Sequence, residues 1–103
     1  MKIRIADDSL RFRLGRADVE ALRMQDELQH RLPTGPGAAL VFSLRLSERT
    51  TEWSIAARDN AVEVLVPKEP LRSWLTSDDL ELERQLEKPH LLLMIEKDRH
   101  DSP

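Results

Sequence analysis

Ser9-Leu10-Arg11-Phe12-Arg13-Leu14 alternates apolar and cationic residues without a break. A period of two places Leu10, Phe12 and Leu14 on one face of a strand and Arg11 and Arg13 on the other, which describes a sheet with one dry and one wet side. Immediately upstream, Lys2–Ala6 repeats the pattern with Ile3 and Ile5 inward, and Asp7-Asp8-Ser9 supplies turn chemistry between the two runs. The pair reads as a β-hairpin. Downstream, Gly15 breaks the strand. A short helix over about 16–24 follows, with Val19 and Leu22 on one side and Asp18 and Glu20 in its first turn. So brief a helix needs a sheet to lie on.

The same period recurs along the chain. Leu28, His30 and Leu32 alternate into a strand that stops at an irregular tip, Pro33-Thr34-Gly35-Pro36-Gly37, although continuation of the helix to Leu32 competes with it. Residues 38–47 put Leu40, Phe42, Leu44 and Leu46 inward. Trp53, Ile55 and Ala57 form the next inward row, Asp59-Asn60 the turn, and Val62, Val64 and Val66 the row after it. Pro67 opens a second helix over about 68–76 with Leu71, Trp74 and Leu75 on one side and Trp74 plugging the core. Leu80 and Leu82 alternate with Glu81 and Glu83, and Glu87-Lys88-Pro89 turns the chain. The run Leu91-Leu92-Leu93-Met94-Ile95 is apolar on both faces, which predicts a central strand covered on both sides. No internal repeat stands out. The reading is an α+β domain over residues 1–98: seven or eight mostly antiparallel strands in a curved sheet or incomplete barrel, two short covering helices, and a flexible tail at 99–103.

The 103 residues contain no cysteine, which removes thiolate nucleophiles, thiolate metal sites and a disulfide framework and suits a reducing, cytoplasmic setting. No apolar run has the length of a membrane span or a signal peptide. Net charge is -3, unevenly divided: residues 1–50 hold nine Lys/Arg and seven Asp/Glu, residues 51–103 seven and twelve. Opposite charge on the two halves permits self-association, so a homodimer belongs among the partner expectations.

His30, His90 and His100 lack the spacing of a metal pair, so neither a metal site nor a cofactor is expected. No serine lies in a nucleophile elbow. The acids Asp78, Asp79, Glu81 and Glu83 lack the glycine and terminal glutamate of a calcium loop and read as a solvated strand face. The strongest candidate surface is the outward row Lys2, Arg4, Arg11 and Arg13, which a hairpin brings side by side. Like charges opposite one another destabilise a sheet unless something neutralises them. That something is either an anionic ligand or partner, or internally Glu81, Glu83, Glu63 or Glu96. Nucleic-acid binding fits poorly, because only four aromatics exist and all fall in inward registers.

Met1-Lys2-Ile3-Arg4-Ile5, Ser9–Leu14 with Val19-Glu20, Val64-Leu65-Val66-Pro67 with Trp74, and Leu93-Met94-Ile95-Glu96-Lys97-Asp98 resemble a small bacterial family of uncharacterised proteins of about this length. Members often continue the Glu-Lys-Asp with an aromatic residue and a cysteine. Here Arg99 and His100 follow. The resemblance implies a shared fold and a bacterial cytosolic setting, and carries no activity. The function expected from the residues is a non-enzymatic binding or interaction module that meets an anionic group through Lys2, Arg4, Arg11 and Arg13. The alternatives are a small enzyme with a pocket near His30 and a weak nucleic-acid binder.

Overall fold

A computed structural model describes residues 1–98. The chain runs β1 (Lys2–Ala6), β2 (Ser9–Leu14), α1 (Arg16–Gln25), β3 (Glu27–Gly35), β4 (Ala38–Ser47), β5 (Ser54–Arg58), β6 (Ala61–Pro67), α2 (Lys68–Leu75), β7 (Glu81–Glu87) and β8 (His90–Lys97). Eight strands and two helices make an α+β fold, as the alternation predicts. They do not form one curved sheet. They build two four-stranded sheets, ordered β1-β2-β8-β7 and β3-β4-β6-β5. In each, two antiparallel hairpins meet along a parallel central pair, β2 with β8 and β4 with β6.

The order ββαββ therefore occurs twice, a repeat that the residue identities conceal. Lys2 pairs with Arg13 as Ser54 pairs with Leu65, both strands advanced by the same 52 positions. Junction bonds repeat too: Leu92 N–H donates to the Asp8 carbonyl at 2.8 Å and Val41 N–H to the Asn60 carbonyl at 2.9 Å. Each sheet takes two strands from each half, so neither half holds a complete sheet.

The inward rows of both sheets and the inner sides of both helices share one core. Phe12, Leu22, Leu44, Val64, Val66 and Leu93 are fully enclosed, and each such side chain contributes about 1.5–3 kcal/mol of burial. Both helices join strands at one end of the sheets. Asp26, at the C-cap of α1 in the left-handed conformation, ties them together: it accepts from Arg72 at 2.8 Å and pairs with Lys68 at 2.9 Å.

Four expectations are corrected. The tip at 33–37 shrinks to Pro36-Gly37, because β3 is an edge strand that tolerates Pro33 and a bulge between Pro33 and Gly35 absorbs the extra residue. Trp53 is buried but precedes β5 rather than belonging to it. Ile5, in the inward register, is 66% exposed, because β1 is an edge strand and Ile5 lies near its hairpin tip, away from the helices. Finally, β8 is central but covered on one side only; Leu92 and Met94 on its outer face remain half-buried. The tail assigned to 99–103 lies outside the described residues.

Candidate functional site

Antiparallel pairing sets Lys2 directly opposite Arg13 and Arg4 directly opposite Arg11. The hairpin register thus brings the four cations together on the outer face of the first sheet. Parallel pairing with β8 then places Met94 beside Arg11 and Glu96 beside Arg13. Arg13 Nε donates to Glu96 Oε1 at 2.8 Å, and Arg11 Nε lies 3.9 Å from Glu96 Oε2. Arg11 also directs a terminal N–H at the Met94 sulfur, 3.7 Å away. Glu96 is only 8% exposed. Its hydrogen bond and its charge, in that order, hold the Arg13 guanidinium above the usual arginine pKa.

Of the four carboxylates that could act as internal counter-ions, Glu63, Glu81, Glu83 and Glu96, Glu96 alone pairs with cations of the cluster. Glu63 lies in the other sheet and pairs with Arg45 at 3.6 Å. Glu81 and Glu83 sit on β7, separated from β1 by two strands, roughly 14 Å at ordinary strand spacing. Lys2 and Arg4 are exposed and have no ion pair among the described residues. Glu96 therefore pairs with two of the four cations and leaves Lys2 and Arg4 without a carboxylate partner among the described residues.

A hollow of about 430 Å³ follows β1 beside this cluster. Lys2, Arg4, Arg11, Arg13 and Glu96 line it, Met1 and Ile3 add apolar walls, and His30 enters from β3. His30, expected to be partly buried with one hydrogen bond, is exposed, lying opposite Phe42 on an edge strand, and has no hydrogen-bond partner among the described residues. It shares the hollow with Glu96, but that carboxylate is already committed to two guanidinium groups. A larger groove, about 870 Å³, runs along α1 past Gly15, Ala17, Val19 and Leu75. Its lysine, Lys97, points elsewhere: Nζ donates to the Trp74 and Ser77 carbonyls at 2.8 and 2.7 Å and lies 4.6 Å from the centre of the Trp74 ring. Burial pushes the Lys97 amine below the usual lysine value.

Asp78, Asp79, Glu81 and Glu83 join no metal-holding group, and no group of three or more His, Asp or Glu is arranged for a metal among the described residues. No helix is long and apolar enough to cross a membrane. The hairpin reading sets the four cations side by side on one face, and the strand registers do the same. That reading missed Met94 as a polar contact of Arg11, because the apolar run around Met94 read as core.

The fold and the face together define a two-sheet ββαββ-repeat domain carrying a cationic strand cluster anchored on one enclosed glutamate. Residues 1–100 match the family of unknown function DUF7009, and the chain belongs to that family. No curated protein and no solved structure matches it.

Proposed function

We propose that this protein is a non-enzymatic interaction module that meets an anionic group on a partner through Lys2, Arg4, Arg11 and Arg13. The supporting observation is the unbalanced charge: Lys2 and Arg4 stand exposed without a carboxylate, beside two arginines that share Glu96. Glu96 fixes the Arg13 fork, and a pre-positioned guanidinium loses less rotamer freedom when it engages a carboxylate or phosphate. An enzyme at this place would have to use His30 as its base, and Glu96, the carboxylate of the hollow that could orient that imidazole, is held by two arginines. An RNA-binding sheet would add exposed rings to such a face to stack single-stranded bases. All four aromatics, Phe12, Phe42, Trp53 and Trp74, are buried.

Titration with a glutamate-rich peptide, followed by amide chemical shifts, tests the reading. Shifts are expected on β1 and β2 and are lost in the double variant Lys2→Glu, Arg4→Glu. Scattered shifts, or shifts that survive in the variant, overturn it.

A further inference from the structure

The strand registers arrange the outer face of the first sheet in transverse rows. Across β1, β2, β8 and β7 one row reads Lys2, Arg13, Glu96, Glu81, and the next reads Arg4, Arg11, Met94, Glu83. Cations occupy one side, carboxylates the other. Glu81 and Glu83, like Lys2 and Arg4, are exposed and form no ion pair among the described residues. On the second sheet the central Arg45 pairs with Glu27 at 3.2 Å and Glu63 at 3.6 Å, so these opposite charges meet within one molecule. Segregation on the first sheet leaves its two edges unmatched within one molecule.

A two-fold axis parallel to the strands matches them. Laid face to face with its copy, the first row meets itself reversed: Lys2 faces the copy's Glu81 and Arg13 its Glu96, while in the next row Arg4 faces Glu83. The same operation covers Leu92 and Met94, the half-buried apolar pair on the outer face of β8. We infer that a second copy of this chain is the partner of this face, in a closed two-fold dimer. The inference rests on the anionic-partner reading and supplies the anion, the β7 carboxylates. Edge-to-edge addition of β1 to a neighbour's β7 would match charges as well, but it leaves Leu92 and Met94 uncovered and does not close.

Four strands of this length present on the order of 400 Å² in projection, from strand spacing and rise, against about 800 Å² per partner in a standard interface. The dimer is therefore weak and, being held by exposed charges, weakened by salt.

Native mass spectrometry and sedimentation equilibrium over a dilution series test it with the full chain. The wild type is expected to show a monomer–dimer equilibrium that salt shifts toward monomer. Lys2→Glu with Arg4→Glu, and separately Glu81→Lys with Glu83→Lys, each weaken dimerisation on the order of tenfold or more. Mixing the two double variants restores a heterodimer, since each supplies the sign the other lost. Circular dichroism and thermal midpoints check that both remain folded. A wild type that stays monomeric, forms larger open-ended assemblies, or gives variants that fail to recombine overturns the dimer. If the wild type is monomeric yet still binds the glutamate-rich peptide through β1 and β2, only the dimer falls. Loss of both overturns the anionic-partner reading as well.

Discussion

Glu96 and Arg45 show how one position can serve opposite charges. Each lies on a central strand, facing the second strand of the neighbouring hairpin: Arg13 pairs in register with Glu96, and Leu65 with Arg45. In the first sheet a carboxylate gathers guanidinium groups; in the second a guanidinium gathers carboxylates. Asp26 is a third such centre, and here pH gives a direct test. Its hydrogen bond from Lys68, reinforced by Arg72 and opposed by desolvation, lowers its pKa below the ordinary aspartate value. A carboxylate depressed in the folded state stabilises above its unfolded pKa and loses that contribution as pH falls through the folded one. Lys68 is raised by its hydrogen bonds to Asp26 and Glu48, so its contribution is present below the ordinary lysine pKa and fades only as pH rises through the raised value. Asn tolerates the left-handed backbone at this cap. Asp26→Asn is thus expected to melt below the wild type at neutral pH, with the gap closing from about pH 4 downward. A gap that stays constant across the acid range would show that the variant acts through something other than the charge.

At the level of strands and turns, most of the structure was legible. Each strand buries one face, so the two-residue period of Leu10, Phe12 and Leu14, or of Val62, Val64 and Val66, survives in the sequence. The misreadings fall where period and environment part. Ile5 has the right register but lies near the tip of an edge strand, and Leu92 and Met94 look like core because nothing local tells an uncovered sheet face from a covered one. Turn chemistry was readable at Asp59-Asn60, where both residues take positive φ, 53° and 65°, as a two-residue hairpin turn of the right twist requires. A β-branched residue there is strained by about 1–2 kcal/mol. Asn60→Val should therefore lower the unfolding free energy by that amount, read as a lower urea midpoint at unchanged m-value, whereas Asn60→Gly should stay close to wild type. Equal losses in both variants would place the effect in the asparagine side chain instead of its backbone.

What joins the hairpins is legible only at the scale of the molecule. The parallel contact of β2 with β8 spans nearly the whole chain, and no local pattern encodes it. The duplicated ββαββ order is hidden for a related reason. Equivalent places differ in residue type, Phe12 against Val64, Leu22 against Trp74, Gly15 against Pro67, while the longer connection from α2 to β7 and the bulge in β3 move the later strands out of step. The cationic row was visible because a hairpin is local; its separation from Glu81 and Glu83 was not, because that depends on which strand lies at which edge. Duplication also makes the two chain crossings equivalent. Residues 48–53 carry the chain from β4 past β6 to β5, and Lys97 and Lys2 stand in the same relation on either side of β2. A permutant that joins Asp98 to Met1 through about four glycine and serine residues, omits 99–103 and opens between Arg49 and Thr50 should therefore keep every strand pairing. The cut falls in an irregular connection outside every strand pairing, at exposed Arg49 and half-buried Thr50, and surface connections are where permutation is tolerated. The permutant should unfold in one cooperative step within several degrees of the parent and keep the pair of Lys68 with Asp26, which lies away from the cut. Loss of cooperative unfolding would mean that the β4–β5 crossing does more than connect, and that the two halves are not interchangeable in the way their hydrogen bonds imply.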